Sequence, residues 1–266
     1  MDTQRTTVGE VPDTNLGAIA RTAGTFAVVG AVVGLVAGLP LGLFWLAVPG
    51  AFAGWFMARA VRNGAFDRAV SQVATRPATE VSEARILNVI DGLCVVSGDR
   101  RPLVEVVEQS WPVAFAVAGP GSDSRIVVSD GFVSSMDRVE TEAVMAHLLW
   151  RIRSGSAEFA TWCMALHAFL SRVGLASLAS RLSGSGAEGP VDIRADLAAC
   201  RATRYPPALV SALEKCRTPF VGTAVLAPLW FATPENEGAT VAHPGFHSLG
   251  LSHSSLDERI SILKEI

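Results

Sequence analysis

The chain has 266 residues, of which half are apolar and 18% charged, with a formal net charge of -3. That length accommodates one soluble domain of roughly 100 to 200 residues plus an anchor, and a mean hydropathy of +0.36, with fewer charges than the ~25% usual in soluble domains, puts part of the chain in lipid. A slightly acidic balance excludes a broad basic surface, so nucleic acid is not an expected partner.

Residues 1–21 read as an N-terminal tail. Between Arg21 and Arg59 no residue is charged, a run longer than the ~20 residues of one bilayer crossing. It is interrupted at Gly38-Leu39-Pro40-Leu41-Gly42, where proline and flanking glycines oppose a continuous helix. Residues 22–62 are therefore expected to form a transmembrane helical hairpin, with crossings near 22–38 and 43–60 and a kink at Pro49-Gly50. The competing readings are a secretory signal peptide, whose apolar region is shorter and nearer the N-terminus, and a hairpin buried inside a soluble fold. Arg5 and Arg21 precede the run, and Arg59, Arg62 and Arg68 follow it. Because cations beside a span stay cytoplasmic, both ends of the hairpin and residues 63–266 are expected in the cytosol, with the anchor in the inner, cytoplasmic membrane.

The remainder reads as mainly α with a small β-sheet, an α+β domain. Residues 67–94 carry helical spacing split by Pro77, which suggests two helices. Leu103-Val104-Glu105-Val106-Val107 and Ser124-Arg125-Ile126-Val127-Val128 are β-branched runs bounded by turn formers, hence strands, with Ala114-Phe115-Ala116-Val117-Ala118 as a third. Helix is expected over 139–152, with Val139, Ala143, Ala146 and Leu149 or Trp150 on its core side, then over 158–182, 192–203, 208–216 and 256–266. Ser183 to Pro190 is a loop by composition. The apolar stretch 220–232 is too short to span a membrane and is expected in the core or at the membrane surface. Cys94, Cys163, Cys200 and Cys216 show no C-x-x-C spacing, which argues for reduced cytosolic thiols over a zinc ribbon or a disulfide scaffold.

The order anchor, helix, strands, His147-bearing helix and then a helix with Arg194-Ala195-Asp196 resembles the HtpX-like membrane zinc metallopeptidases (metallopeptidase family 48). The resemblance covers about residues 83–266 and, more loosely, the anchor. Val113-Ala114-Phe115-Ala116 is similar to the family's Asn-Ala-Phe-Ala segment, and Ile126-Val127-Val128-Ser129-Asp130-Gly131 to its strand and turn. Ser211-Ala212-Leu213-Glu214-Lys215 and Leu256-Asp257-Glu258-Arg259-Ile260 are also family-like. The family motif is H-E-x-x-H on a helix, in which two histidines bind zinc and the glutamate activates the zinc-bound water.

Here the corresponding residues are His147-Leu148-Leu149-Trp150-Arg151. The resemblance places Leu148 at the general base and Arg151 at the second histidine. Asp192 falls at the third ligand, a glutamate in the family, and Asp196 matches the family aspartate. Ser156 stands where the family usually has an aspartate. These changes imply a zincin-like domain without catalytic residues, whose vestigial metal positions His147, Arg151 and Asp192 bind no zinc, and in which Arg151 pairs with Asp192 or Asp196. Such a pseudopeptidase is expected to bind unfolded or membrane proteins, or an intact peptidase of the family. Binding is expected by strand addition at an edge formed by Arg125, Ile126, Val127, Val128 and Ser129.

Two alternatives stay open. One is an active zinc endopeptidase with a divergent site using His147, Asp192 and one of His243, His247 or His253; the other is a purely structural membrane protein. Ser183 and Ser185 lack a G-x-S-x-G turn, and His167 on an apolar helix reads as a core histidine.

Overall fold

The structure is a computed structural model that describes residues 14–39, 43–121, 123–172, 191–217, 226, 229–233 and 254–266, with side chains from residue 23 onward. Helices α1 (Thr14–Gly38) and α2 (Ala47–Asn63) form the expected hairpin. The turn falls after Gly38, whose carbonyl accepts from the Leu43 amide at 2.9 Å, and a single 3-10 turn, Phe44–Leu46, leads into α2. Pro49 lies in the first turn of α2, where a missing amide proton breaks no helical hydrogen bond. The expected kink within the second crossing is therefore replaced by an irregular start.

What holds the hairpin together is the absence of side chains. Gly30 and Gly34 of α1 face Gly50 and Leu46, and Gly54 of α2 faces Phe26; a methyl group at Gly30, Gly34, Gly50 or Gly54 would collide with the opposing carbonyl oxygen. The repeats Gly30-x-x-x-Gly34 and Gly50-x-x-x-Gly54 thus bring two backbones into direct contact, the small-residue packing that helices use where no hydrophobic force drives them together. The outer surface is apolar and open, with Phe52 and Phe56 each 69% exposed. Residues Phe44–Ser71, broken only by the turn at Gly64, are long and apolar enough to cross a membrane, and 17% of an 18-residue apolar stretch within them is buried. A helix at the centre of a soluble core would be mostly covered, so the buried-hairpin reading does not hold. Ala23–Gly38 is a shorter apolar helix.

At its base the hairpin joins the domain. Arg62 donates from Nη2 and Nε to Glu158 Oε1 at 2.7 and 3.1 Å, and α3 (Ala65–Ser71) packs on α7 (Ser156–Arg172). Pro77 lies between two helices, as expected, but it also closes a short strand, β1 (Thr75–Pro77), that the sequence reading did not include; α4 (Ala84–Ser97) follows and ends at Gly98, whose φ of 72° is left-handed. A three-residue strand carries too little periodicity to be read from sequence.

Strands β2 (Leu103–Val107), β3 (Ala114–Ala118) and β4 (Ser124–Ser129) fall where expected. The sheet order is β1-β2-β4-β3. β2 and β4 are parallel, with Val104 opposite Ile126, while β3 and β4 are antiparallel, with Phe115 opposite Val127. Strand alternation sends Val104, Val106, Ala116, Ile126 and Val128 to one face and Val107, Phe115, Val117 and Val127 to the other. The first face packs on α4, α6 (Arg138–Arg153), α8 (Val191–Thr203), α9 (Pro206–Lys215) and α10 (Leu256–Lys264); the second packs on α3 and α7.

This order corrects the expected peptide edge. β4 is internal, paired on both sides, so Arg125, Ile126, Val127, Val128 and Ser129 offer no edge. Arg125 pairs with Glu105 on β2, and Ser129 caps α5 (Asp130–Ser135) by accepting from the Phe132 amide at 3.0 Å. The outer strands are β1 and β3. At the turn into α5, Gly131 lies against the backbone of Ser110 and Trp111 too closely for any side chain.

Two measurements check this account. Gly50→Leu should destabilise the detergent-solubilised protein by at least the ~1–3 kcal/mol typical of overpacking, whereas Gly24→Leu, with nothing near the new side chain, should leave the melting temperature unchanged. All four cysteines are free and buried, and burial raises the thiol of Cys200 to about 11 and that of Cys216 to about 12. Iodoacetamide at pH 8 should label none in the native protein and all four after unfolding, as read by intact mass.

Candidate functional site

The site is built on α6, whose start is fixed by a capping box. Asp137 accepts from the Glu140 amide at 2.8 Å and Glu140 accepts from the Asp137 amide at 2.7 Å, so two otherwise unsatisfied donors are used. Glu140 also accepts from Ser211 at 2.6 Å and Lys215 at 2.5 Å, tying this terminus to α9. Burial opposes the charge on Glu140, but Lys215, Ser211 and the Asp137 amide outweigh it and hold the carboxyl below its ordinary range. At the other end the Ser156 hydroxyl donates to the Arg151 carbonyl at 3.1 Å, so the serine completes the end of α6.

Between these ends the helix is covered around most of its circumference. Ala143, Ala146 and Leu149 are in the core as expected, but Val139 is 44% exposed, and His147, Leu148 and Arg151 are buried as well. Leu148 belongs to the apolar core between α6 and the sheet.

His147 and Arg151, one turn apart, face α8 and α10. His147 is fully buried, and its Nδ1 lies 2.8 Å from Asp196 Oδ1 on α8. Asp196 is shared: Arg259 on α10 donates from Nη2 to Oδ1 and from Nε to Oδ2, both at 2.7 Å, while its Nη1 donates to the Phe231 carbonyl at 2.7 Å. Burial disfavours the Asp196 charge, but Arg259 and the hydrogen bonds from His147 and Arg259 dominate and lower its pKa. For His147, burial together with the cations Arg259 and Arg151 outweighs Asp196, so the imidazole is neutral. Its Nδ1 then donates to Asp196. Its Nε2 has no hydrogen-bond partner among the described residues.

Arg151 turns inward. Burial pulls its pKa down and the charge of Asp192 is the largest influence pushing it back; a guanidinium so placed stays charged. Its Nη1 donates to the carbonyls of Leu229 and Trp230 at 3.2 and 3.1 Å. Asp192 also supports the charge of Arg259, whose pKa is raised. The expected pairing of Arg151 with Asp192 thus has electrostatic support, whereas Asp196 is engaged by Arg259 and His147. The chain segment that receives these arginines follows the outer edge of β3: Trp230 pairs antiparallel with Phe115, and the Phe231 amide donates to the Ala114 carbonyl at 2.7 Å. The Phe231 ring meets the His147 ring edge-on at 5.0 Å between centroids.

Of the positions matched through the resemblance, the structure brings His147 onto Asp196 and puts Arg151 under the charge of Asp192. Sequence reasoning did not single out Arg259, which sits in a helix with a charged sequence but is 1% exposed, nor residues 229–231, expected only to pack in the core or touch the membrane surface. The Asp137-x-x-Glu140 spacing was a legible signal for the capping box. His243, His247 and His253 lie outside the described residues, and His167 is buried with Ser171 at 3.4 Å from its Nδ1, in keeping with a core histidine. Among the described residues no three His, Cys, Asp or Glu side chains gather as a metal-binding group.

A hairpin of apolar helices carrying an α+β domain, with a buried histidine held by a carboxylate from a later helix, defines the class. Among curated proteins, the chain is 24% identical to the protease HtpX homologue of Dictyoglomus turgidum over 67% of this chain and 68% of that relative. It is 23% identical to that of Limosilactobacillus reuteri over 83% and 92%, and 25% identical to that of Tropheryma whipplei over 74% and 78%. The chain is HtpX-like over most of its length. No family model and no solved structure matches it.

Removing the shared carboxylate should cost the most. Asp196→Asn leaves the Arg259 charge buried without its partner and is expected to lower stability by about 3–5 kcal/mol, measured by thermal or denaturant unfolding in detergent. The lowered Glu140 carboxyl adds a pH dependence. Its contribution is complete above the unfolded value of about 4.3 and is lost as pH falls through the lower folded value; Glu140→Gln should flatten the melting temperature between pH 5 and pH 3.

Proposed function

We propose that the protein is a membrane-anchored pseudopeptidase: a zincin-like domain of the HtpX type that binds proteins without hydrolysing them. The hairpin lies in the lipid bilayer of the inner membrane, with residues 63–266 on the cytosolic side beside the flanking arginines. The observation that carries this reading is Arg151, a buried cation one helical turn from His147 and under the charge of Asp192.

A catalytic zinc site needs about three protein ligands, and this cluster does not fit one. His147 Nε2 supplies a lone pair and Asp192 a carboxylate, but Leu148 has no donor atom and Arg151 brings positive charge. Arg151 and Arg259 already balance Asp192 and Asp196, so a dication would leave a buried excess of charge, which is heavily penalised. An alkyl chain at the general-base position forgoes a contribution of roughly 10²- to 10⁴-fold.

Binding has room to persist. A cleft of about 720 Å³ runs beside the sheet, lined among others by Thr75, Val107, Gln109, Phe115, Leu226 and Trp230, a size and polarity within the ordinary range of ligand sites. Partners of this chemistry are extended segments of unfolded or membrane proteins, or of an intact peptidase of the same type.

A second reading is favoured by one observation: His147 is held at Nδ1 by a carboxylate with Nε2 unpartnered, the arrangement typical of metal-binding histidines. In that reading zinc is held by His147, Asp192 and a C-terminal histidine. Metal analysis of the full-length protein in detergent separates the two. Substoichiometric zinc, unchanged in His147→Ala, and no chelator-sensitive cleavage of casein are expected. Stoichiometric zinc lost in His147→Ala would establish the second reading in place of the first.

A further inference from the structure

The segment at residues 229–231 sits where a peptide added to the sheet would sit. β3 is an outer strand, and its free side is met by Trp230, paired antiparallel with Phe115, and by the Phe231 amide on the Ala114 carbonyl. All three side chains are buried, with exposures of 0%, 5% and 1%. Their carbonyls are taken by arginines: Leu229 and Trp230 by Arg151, Phe231 by Arg259. The Arg259 guanidinium also lies over the Phe231 ring, 5.1 Å from its centroid.

The division of this grip is informative. β3 holds β4 through a register running from Ala114 to Ala118, but it holds the 229–231 segment through an isolated bridge. The two arginines supply the remaining backbone contacts, as charge-assisted bonds of the stronger kind. Arg151 therefore has a use beyond balancing Asp192: it reaches across to hold the 229–231 segment at the sheet edge.

Building on the peptide-binding reading above, we propose that residues 229–231 form an internal strand latched onto the β3 edge by Arg151 and Arg259, and that an extended apolar segment of a partner binds by displacing it. The incoming segment adds to the same edge through its backbone and places large apolar or aromatic residues in the spaces of Leu229, Trp230 and Phe231. Its carbonyls take over the Arg259 donor, whereas Arg151 serves the closed state alone. The domain is thus closed at rest, and its affinity for partners is reduced by the fraction of time the latch is shut.

The test uses the full-length protein in detergent micelles and a fluorescent peptide with the sequence of residues 227–233, Ala-Pro-Leu-Trp-Phe-Ala-Thr. Arg151→Met combined with Asp192→Asn removes the Arg151 half of the latch while leaving the cluster balanced, and Arg259 stays in place for the peptide. This variant should bind the peptide at least ~10-fold more tightly than the wild type, since unlatching removes the cost of opening. A peptide N-methylated at Trp and Phe, unable to donate to the sheet, should gain nothing. Amide exchange at Ala114 and Ala116, whose amides face the segment side of β3, should be faster in the variant and slow again with peptide. Trp230→Gly, which leaves both arginines in place, should shift affinity in the same direction and serves if the double variant does not fold. Equal peptide affinity in wild type and both variants would overturn the latch and leave peptide binding standing. No binding to a variant whose β3 amides exchange fast would overturn the peptide-binding reading itself.

Discussion

One carboxylate organises the α+β domain. Asp196 receives His147 from α6 and Arg259 from α10 while standing on α8, so three helices far apart in sequence meet at two oxygen atoms. Burying that many polar groups is unfavourable unless every member is satisfied, and the network is closed with few exceptions. Arg259 spends its remaining donor on the Phe231 carbonyl, which carries the network to the sheet edge. The placement of α10, the direction of His147 and the path of residues 229–231 all follow from this single group.

Arginine at position 151 fits this frame in a way histidine would not. A neutral ring there would leave Asp192 uncompensated in a site from which water is largely excluded, unless a metal ion supplied the missing charge. The guanidinium supplies it within the chain. It also gives a planar fork of donors, which a metal bound to three ligands would not extend to the carbonyls of Leu229 and Trp230.

Much of this architecture was legible in the residues. The strands at 103–107, 114–118 and 124–129 are β-branched runs between turn formers, and the helices at 191–203 and 206–215 announce themselves by an apolar face and by the Pro206-Pro207 start. The neighbourhood of His147, Asp192 and Asp196 came from the resemblance, carried on the spacing of one helix and the Ala195-Asp196 pair. What escaped were properties of assembly. β4 lies inside the sheet because β3 folds back outside it, an order that chain position does not encode. Arg259 looks like a surface residue between Glu258 and Ile260 until α10 docks. The Phe115 to Trp230 bridge joins segments whose separation leaves no local pattern to read.

The glycine contacts between α1 and α2 bear on how such an anchor enters lipid. Gly30 and Gly50 bring their backbones together without intervening side chains, so the two helices meet along a seam that any added side chain would open. The turn joining them carries no ionisable group, so its passage across the hydrocarbon requires no charge to be dehydrated. A hairpin with those properties leaves its two helices no separate search for each other, and the Arg62 to Glu158 pair ties its base to α7.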